Sequence, residues 1–526
     1  MPSVRVCVWV SVLFLISSTS LAAQVLRRDT ADEPEGLDPH KTESLAAATV
    51  QRDLYEGLVI FAPDGKVTGG AAQSWEISAD GLQYTFQLRP GLKWSNGEEL
   101  TADDFVYSFR RLVNPATKST YAFLAFPIRK AREISGAKDS AVDHLGVAAD
   151  GPNRLQITLS QPTPYFLVAL THPSLAPLHR KTIEQRGESF GKTGTLIGSG
   201  AFTLQEWTHG VHIVLKKNPN YWDHEHVKLA EVQYLYPPTD EEEARQFFAG
   251  ATDITWGVPA SQLAEIRAKH ADELTSYPDL AVFYYPFELK SRPFKSSVKL
   301  RQALAMVTDR EYVTREITGR GEKPAYGWVP PGLAGYTLQE FPWAKLPKAQ
   351  QLAVARQLYA DAGYGAGKQL KVELRPGESE SRQKVAKAIA RQWKEALGVE
   401  VQVAASLDAK APEDPTVGVL TAKGWVADYA DANTFDEIWL SDSTENTFGY
   451  SNHKYDSLVS KANLERNPSE RAKVLEEAER TLLNDSPMIP IYDFVQLRLV
   501  RKTVVGYAPT STGVSYSKNI EIVSGR

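Results

Sequence analysis

The chain has 526 residues, with 59 Lys plus Arg against 64 Asp plus Glu, 11 Trp and 22 Tyr. Balanced charge leaves no global basic field for nucleic acid or anionic membrane, and a chain this long divides into two or more domains. The composition is rich enough in aromatics for both dense cores and recognition surfaces.

Arg5 supplies a positive start, Val6 to Ile16 an apolar run, and Ser17 to Ala23 a stretch of small residues. The apolar run is too short to span a bilayer comfortably, so residues 1–22 read as a cleavable secretory signal. The single cysteine, Cys7, leaves with that signal and sits too early to carry a lipid at the cleavage point. The mature chain is therefore expected to be thiol-free, unlipidated and periplasmic.

Gly36-Leu37-Asp38-Pro39-His40-Lys41 reads as a turn-rich start, and apolar residues from Ala46 to Val59 recur at helical spacing. Ala72 to Trp75 leads through the turn pair Asp80-Gly81 into the alternating strand Tyr84 to Arg89. Thr101 and Asp104 have the spacing of an N-cap and its reciprocal partner, which predicts a helix to about Leu112. Leu370 to Leu374 predicts a strand. Ser381 to Leu397 predicts a helix, with Val385, Ile389, Trp393 and Leu397 on one face. Gly398 ends that helix and Val399 to Val403 alternates as the next strand, a βαβ unit with a parallel pair. Val417 to Leu420 reads as a strand end, and Ser469 to Leu483 as a helix stopped by Asn484-Asp485-Ser486-Pro487.

Between the last two lies Gly424-Trp425-Val426-Ala427-Asp428-Tyr429-Ala430-Asp431-Ala432-Asn433-Thr434-Phe435. An aspartate beside aromatic walls at a strand exit suits a buried cation, because low dielectric strengthens the pair. Composition alone favours an exposed acidic loop whose aromatics plug the core.

Other motif fragments carry less. Ser296-Ser297-Val298-Lys299 and Ser381-Arg382-Gln383-Lys384 match Ser-x-x-Lys, but Lys192-Thr193-Gly194 precedes both, the reverse of the order in penicillin-recognising enzymes. No Gly-x-Ser-x-Gly elbow or His-Glu-x-x-His run is present. Asp223-His224-Glu225-His226, with His209 and His212 upstream, reads as a solvated polar turn before a metal site. Gly319-Arg320-Gly321 lacks P-loop spacing and reads as a loop.

Four runs occur in a telling order: Ala72 to Leu112; Gly198-Ser199-Gly200-Ala201-Phe202 with Asn218-Pro219-Asn220-Tyr221-Trp222; Pro293-Phe294 with Arg301-Gln302-Ala303-Leu304 and Asp309-Arg310; and Gly424-Trp425-x-x-Asp428-Tyr429. Together they resemble the periplasmic oligopeptide-binding proteins, the solute receptors of peptide ABC importers, over nearly the whole mature chain. The resemblance implies an α/β, two-lobed periplasmic binding protein fold of the extended type. One lobe would comprise residues 23–55, 180–282 and 493–526, with an inserted subdomain over 56–179 and a second lobe over 283–492. It implies a monomeric receptor without cofactor, metal, catalysis or nucleic acid, whose partners are short peptides and an ABC importer permease.

A receptor indifferent to peptide sequence pairs the main chain like an added strand and holds the amine with a carboxylate. The resemblance gives the amine to Asp428 and one backbone edge to Gly424, Trp425 and Val426. The other edge falls to Glu43 through Leu45, and the side-chain pockets to Tyr121 and Tyr284. Two departures stand out. Ala281 and Val426 occupy positions that carry a cysteine pair in some members, so packing is expected to replace that staple. Ala422 replaces an arginine that serves the ligand's far end, and the adjacent Lys423 points to the opposite face if the segment is a strand. The alternatives are a same-fold receptor for a murein tripeptide, a peptide-like antibiotic or a chelated metal, and, from another class, a periplasmic serine hydrolase.

Overall fold

The computed structural model describes residues 24–523 except 140, 193, 291–292, 334, 378, 405 and 408–411. The segment read as a signal, residues 1–22, and Thr193 of the Lys-Thr-Gly run lie outside the described residues. Alternating apolar residues in Val25–Asp29, Phe202–Thr208, His212–Lys217 and Glu231–Leu235 build a first sheet, in which Val25–Asp29 runs parallel to Glu231–Leu235 and the other pairs are antiparallel. Leu26, Phe202, Ile213, Leu215 and Val232 share a core with Val50 and Leu54 of the helix Leu45–Leu54. That helix stops short of the Val59 suggested by spacing. Tyr55 turns extended, and Glu56-Gly57 leads into the strand Val59–Phe61.

A second, antiparallel sheet joins Ala72–Ile77, Gln83–Leu88, Arg154–Thr158 and Val147–Ala149. The Asp80-Gly81 turn sits between its first two strands, with Gly81 at φ +73° where a side chain would be strained. Phe105, Phe109 and Leu112 of the helix Ala102–Val113 pack in the core beneath it. The Asp104 carboxylate accepts the Thr101 N–H at 2.8 Å, as the cap spacing required.

The third core holds two sheets. Glu400–Val403, Lys371–Arg375 and Gly418–Thr421 are parallel, and the helix Glu380–Leu397 buries Val385, Ile389 and Trp393. Gly398 ends it at φ +71°. The other sheet orders Lys323–Pro324, Met488–Leu499, Leu274–Pro286 and Lys423–Val426, all antiparallel. Its two long strands extend beyond this core. Leu497 and Leu499 pack with Phe247, Leu263 and Ile266, whereas Phe283, Tyr285, Ile489 and Ile491 lie in the third core. Their ladder is irregular between Pro278 and Val282.

The motif runs turn out to be scaffold. The buried Glu56 carboxylate accepts from Tyr221 Oη (2.5 Å), Trp222 Nε1 (2.6 Å) and Lys518 Nζ (2.6 Å). Gly198 and Gly200 pack on the end of the helix Leu45–Leu54, where a Cβ would lie 2.1 Å from the Leu54 carbonyl oxygen and 2.4 Å from that of Asp53. Asp38 takes both ends of the Arg111 guanidinium, at 3.0 and 2.6 Å, which ties the turn-rich start to the helix Ala102–Val113. Arg301 donates to the carbonyls of Phe294, Asp485 and Ser486.

Arg310 is fully buried and donates to the carbonyls of Ala325, Pro490, Ala305 and Thr308 at 2.8 to 3.0 Å. Arg310→Met would leave those acceptors without their donor. The expected loss is roughly 3 kcal/mol or more of folding stability. Urea unfolding checks it, and a loss below about 1 kcal/mol would contradict this role.

Candidate functional site

The strand Lys423–Val426 pairs on one side with Leu274–Pro286, in the register Ala281 to Val426, Val282 to Trp425, Phe283 to Gly424 and Tyr284 to Lys423. Among the described residues no strand covers its other edge. Gly424 and Val426 are exposed there, Val426 to 48%. Such an edge offers unpaired N–H and C=O groups to an extended chain. The two positions read as a lost cysteine pair, Ala281 and Val426, are direct cross-strand partners. Half-exposed Val426 contributes only part of the packing expected in place of the staple.

Beyond this strand the chain folds back on itself. Trp425 Nε1 donates to the Thr434 carbonyl at 2.9 Å, and the Asp428 N–H to Thr434 Oγ1 at 3.3 Å. The two aspartates of the stretch then part company. Asp431 receives both ends of the Arg471 guanidinium, at 2.7 and 2.8 Å, and is structural. Asp428 has no ion pair among the described residues. Its side chain is open to solvent on one side, yet the surrounding protein walls push its pKa up to about 6, with the Glu445 charge adding to the effect. An unpaired carboxylate that resists ionisation is ready to receive a cation.

Tyr121 is half-buried, with its Oη donating to the Glu43 carbonyl at 3.4 Å and its ring 4.3 Å from that of His172. Burial raises the Tyr121 pKa, and the charges of Asp428 and Glu43 raise it further, which places both near its hydroxyl. Glu43 and Leu45 are exposed, Leu45 to 57%. The backbone edge expected from Glu43 to Leu45 needs correction, because the Glu35 carboxylate already takes the N–H groups of Glu43 (2.5 Å) and Ser44 (2.8 Å). The Glu43 carbonyl and the Leu45 N–H are what this segment has left to offer.

Tyr284 also needs correction. It is 2% exposed, with its ring edge-on to Trp328 at 4.7 Å and to Trp439 at 6.2 Å, so it belongs to the core. Ala422 is 4% exposed, while Lys423 Nζ lies 5.0 Å over the Phe448 ring, beside a cavity of about 290 Å³ shared with Arg375, Thr421 and Glu288.

Three further residues complete the site without any periodic signal in the sequence. Tyr165, from the stretch after the second sheet, stacks on Tyr429 at 4.7 Å and 9°. Tyr429 Oη and Asn433 Nδ2 both donate to Glu437, at 3.2 and 3.1 Å, and burial pushes the Glu437 pKa up to about 7. Glu445 acts on Asp428 through its charge alone.

The hydrolase and metal fragments have ordinary roles. Ser297 caps the helix Val298–Met306, Lys299 pairs with Asp361 and Lys384 with Glu380, each at 2.7 Å. His209 pairs with Glu33, His212 with Glu206 and His226 with Asp223. Among the described residues no group of three or more His, Cys, Asp or Glu could hold a metal ion, and no helix is long and apolar enough to cross a membrane.

Comparison with known proteins identifies the family and the fold. Residues 66–447 match the family described as "Bacterial extracellular solute-binding proteins, family 5 Middle". The periplasmic oligopeptide-binding protein OppA of Salmonella typhimurium is 34% identical over 509 residues, 95% of this chain and 93% of its own length. The probable deoxycholate-binding periplasmic protein YgiS of Escherichia coli is 35% identical over 93% of this chain and 92% of its own. The solved structure of the periplasmic murein tripeptide binding protein MppA of Escherichia coli, in its unliganded open form, superposes with a TM-score of 0.84 at 32% identity, covering 96% of this chain and 98% of that one. The fold is thus the two-lobed α/β binding-protein fold, and the chain belongs to family 5 of the bacterial extracellular solute-binding proteins.

Proposed function

We propose that this chain is a periplasmic receptor that binds short peptides in a cleft between its lobes and delivers them to an ABC importer permease. It acts as a monomer and catalyses no reaction. The observation that carries the reading is the unpaired Asp428 carboxylate at the exit of a strand with a free edge. A peptide would add to the Lys423–Val426 edge as a further strand and place its ammonium on Asp428, with the Tyr121 hydroxyl alongside. Recognition of main chain and amine leaves the side chains largely unread, as a receptor for many peptides requires.

The three cores support the division proposed from the sequence: 23–55, 180–282 and 493–526 as one lobe, 56–179 as a subdomain, and 283–492 as the second lobe. Ligand contacts made only when the lobes close would shift the population toward the closed form. A second reading, a murein tripeptide as ligand, draws on the likeness to MppA. That ligand also carries a free amine, and competition between it and an alanine tripeptide would rank the two.

Asp428→Asn is expected to weaken binding of an alanine tripeptide by ~1–3 kcal/mol, because the buried ammonium loses its counter-charge. Isothermal titration measures it, and equal affinity for both proteins would refute the assignment. N-acetylation of the peptide should cause a similar loss in the wild type and little further loss in the variant.

A pH dependence follows from the same carboxylate. The ligand-free pKa lies at about 6, above the ordinary aspartate value, and only the ionised form pairs with an ammonium. Affinity should be highest near pH 7, fall about tenfold between pH 7 and pH 5 with proton release on binding at the acid end, and decline again above about pH 8 as the peptide's α-ammonium loses its proton. Titrations across that range in the wild type, with Asp428→Asn showing no such fall, would bear this out.

A further inference from the structure

The stacked rings of Tyr165 and Tyr429 join the body built on the second sheet to the third core. Their neighbours in the chain, Pro164 and Ala430, line a cavity of about 380 Å³. Ile77, Tyr84 and Pro162 extend one wall, while Ala432, Ala472 and Leu475 extend the other, so the two bodies enclose it together. None of the residues assigned to the peptide lines it.

The walls are mostly apolar. Ile77 and Tyr84 pair across the hairpin on one face of the sheet, yet Tyr84 is buried and Ile77 is 46% exposed. Apolar surface left open in a concave site between two bodies suits an apolar ligand.

The charged side chains of the lining decide what kind of ligand. Asp431 and Arg471 neutralise each other through hydrogen bonds of 2.7 and 2.8 Å. Arg466 is left, an exposed side chain that forms no hydrogen bond or ion pair with any described residue. Distances fix its place. A Cβ built on Gly81 would lie 3.4 Å from Arg466 Nε and 3.6 Å from Pro162 Cβ, so Arg466 crosses the hairpin turn at the cavity's rim. Asp80, beside that glycine, feels the Arg466 charge, but it accepts from the Ser78 hydroxyl and the Leu82 N–H and does not line the cavity. The helix Pro468–Asp485 begins at the same rim and adds the positive end of its dipole.

An apolar interior with one uncommitted cation at its mouth is complementary to an amphiphilic monoanion, whose chain goes inside while its head stays at the water. At about 30 Å³ per non-hydrogen atom, the space takes on the order of a dozen such atoms. We propose that this cavity is a second ligand site, separate from the peptide cleft, for an apolar monocarboxylate of roughly ten carbons. Its chain would lie between Ile77 and Leu475 and its carboxylate on Arg466. The site stands independently of the peptide reading.

Decanoate is the probe, titrated calorimetrically below its micelle-forming concentration. The wild type should bind a single equivalent. Arg466→Met should weaken that binding about tenfold, and Arg466→Lys less, because lysine keeps the charge and loses the fork of donors. Ile77→Asn, which sets an amide on the apolar wall, should weaken it by a comparable factor. Decyltrimethylammonium, with the same chain and the opposite charge, should bind at least about tenfold more weakly than decanoate. Both substituted side chains are exposed, so the variants should keep the wild-type melting temperature. Asp428→Asn should bind decanoate as the wild type does, and saturating alanine tripeptide should not displace it. Absence of saturable decanoate binding in the wild type overturns the proposal, and so does binding that either Arg466→Met or Ile77→Asn leaves undiminished. Equal affinity for the cationic amphiphile overturns the role of Arg466, and competitive displacement by the tripeptide overturns the separate site.

Discussion

The pairing of Leu274–Pro286 with Met488–Leu499 is the constraint on which the rest of the molecule depends. The backbone between Phe287 and Pro487 connects covalently to the remainder of the chain through these two strands. They begin and end in different cores, so the lobes share a ladder of backbone hydrogen bonds rather than a flexible tether. Within that ladder the register slips between Pro278 and Val282, where Pro278 can donate no hydrogen bond. The Leu280 N–H turns instead to the Ser511 carbonyl, and the Leu280 carbonyl accepts the Ala427 N–H at 2.8 Å. The irregular segment thus touches the residue next to Asp428. The irregular segment and the placing of Asp428 are coupled through one residue's backbone.

Around that point the protein sorts its carboxylates by partner. Asp431 has a bidentate arginine. Glu479 is fully buried but accepts from the Trp328 and Val329 N–H groups and from Tyr336 Oη, at 2.6, 2.9 and 2.6 Å. Asp436, also buried, meets the Tyr455 hydroxyl, and burial holds its pKa well above the usual range. Glu437 has Tyr429 and Asn433. Three acids are therefore satisfied within the fold, and Asp436 is met on one oxygen only. Asp428 differs by having no side-chain partner among the described residues, and its like-charged neighbours make any arriving ammonium more welcome.

Local physics made much of this legible in the sequence. Trp393 and its fourth-residue neighbours, Gly398 and the Thr101–Asp104 cap each depend on residues within a turn or two, and each appears where it was read. Asp428 is singled out through the order of the motif runs, whose other members (Tyr221 and Trp222 with their Glu56 acceptor, Arg301, Arg310) hold the frame. The misplacements share a non-local cause. Tyr284 is buried because strand parity aims it at Trp328, which is distant in sequence. Glu43 and Ser44 lose their N–H groups to Glu35, an acid whose reach depends on how the turn-rich start folds. Tyr165 meets Tyr429 only because two separate cores come together. None of these is a property of a window.

The exchange at Ala422 and Lys423 shows how sharply a strand reads its residues. Successive side chains point to opposite faces, so a cation moved by one position leaves its site altogether. Ala422 is buried, and Lys423 is directed at Phe448 and the cavity beside Arg375 and Glu288. Lys423 therefore cannot stand in for an arginine one residue earlier. With no cation at position 422, the proposed binding mode leaves a ligand to be held by the free strand edge, the Asp428 carboxylate and Tyr121. On the proposed reading, a receptor built this way would bind through the amino end of its ligand and would tolerate variety in length, because nothing at position 422 would measure where the chain stops.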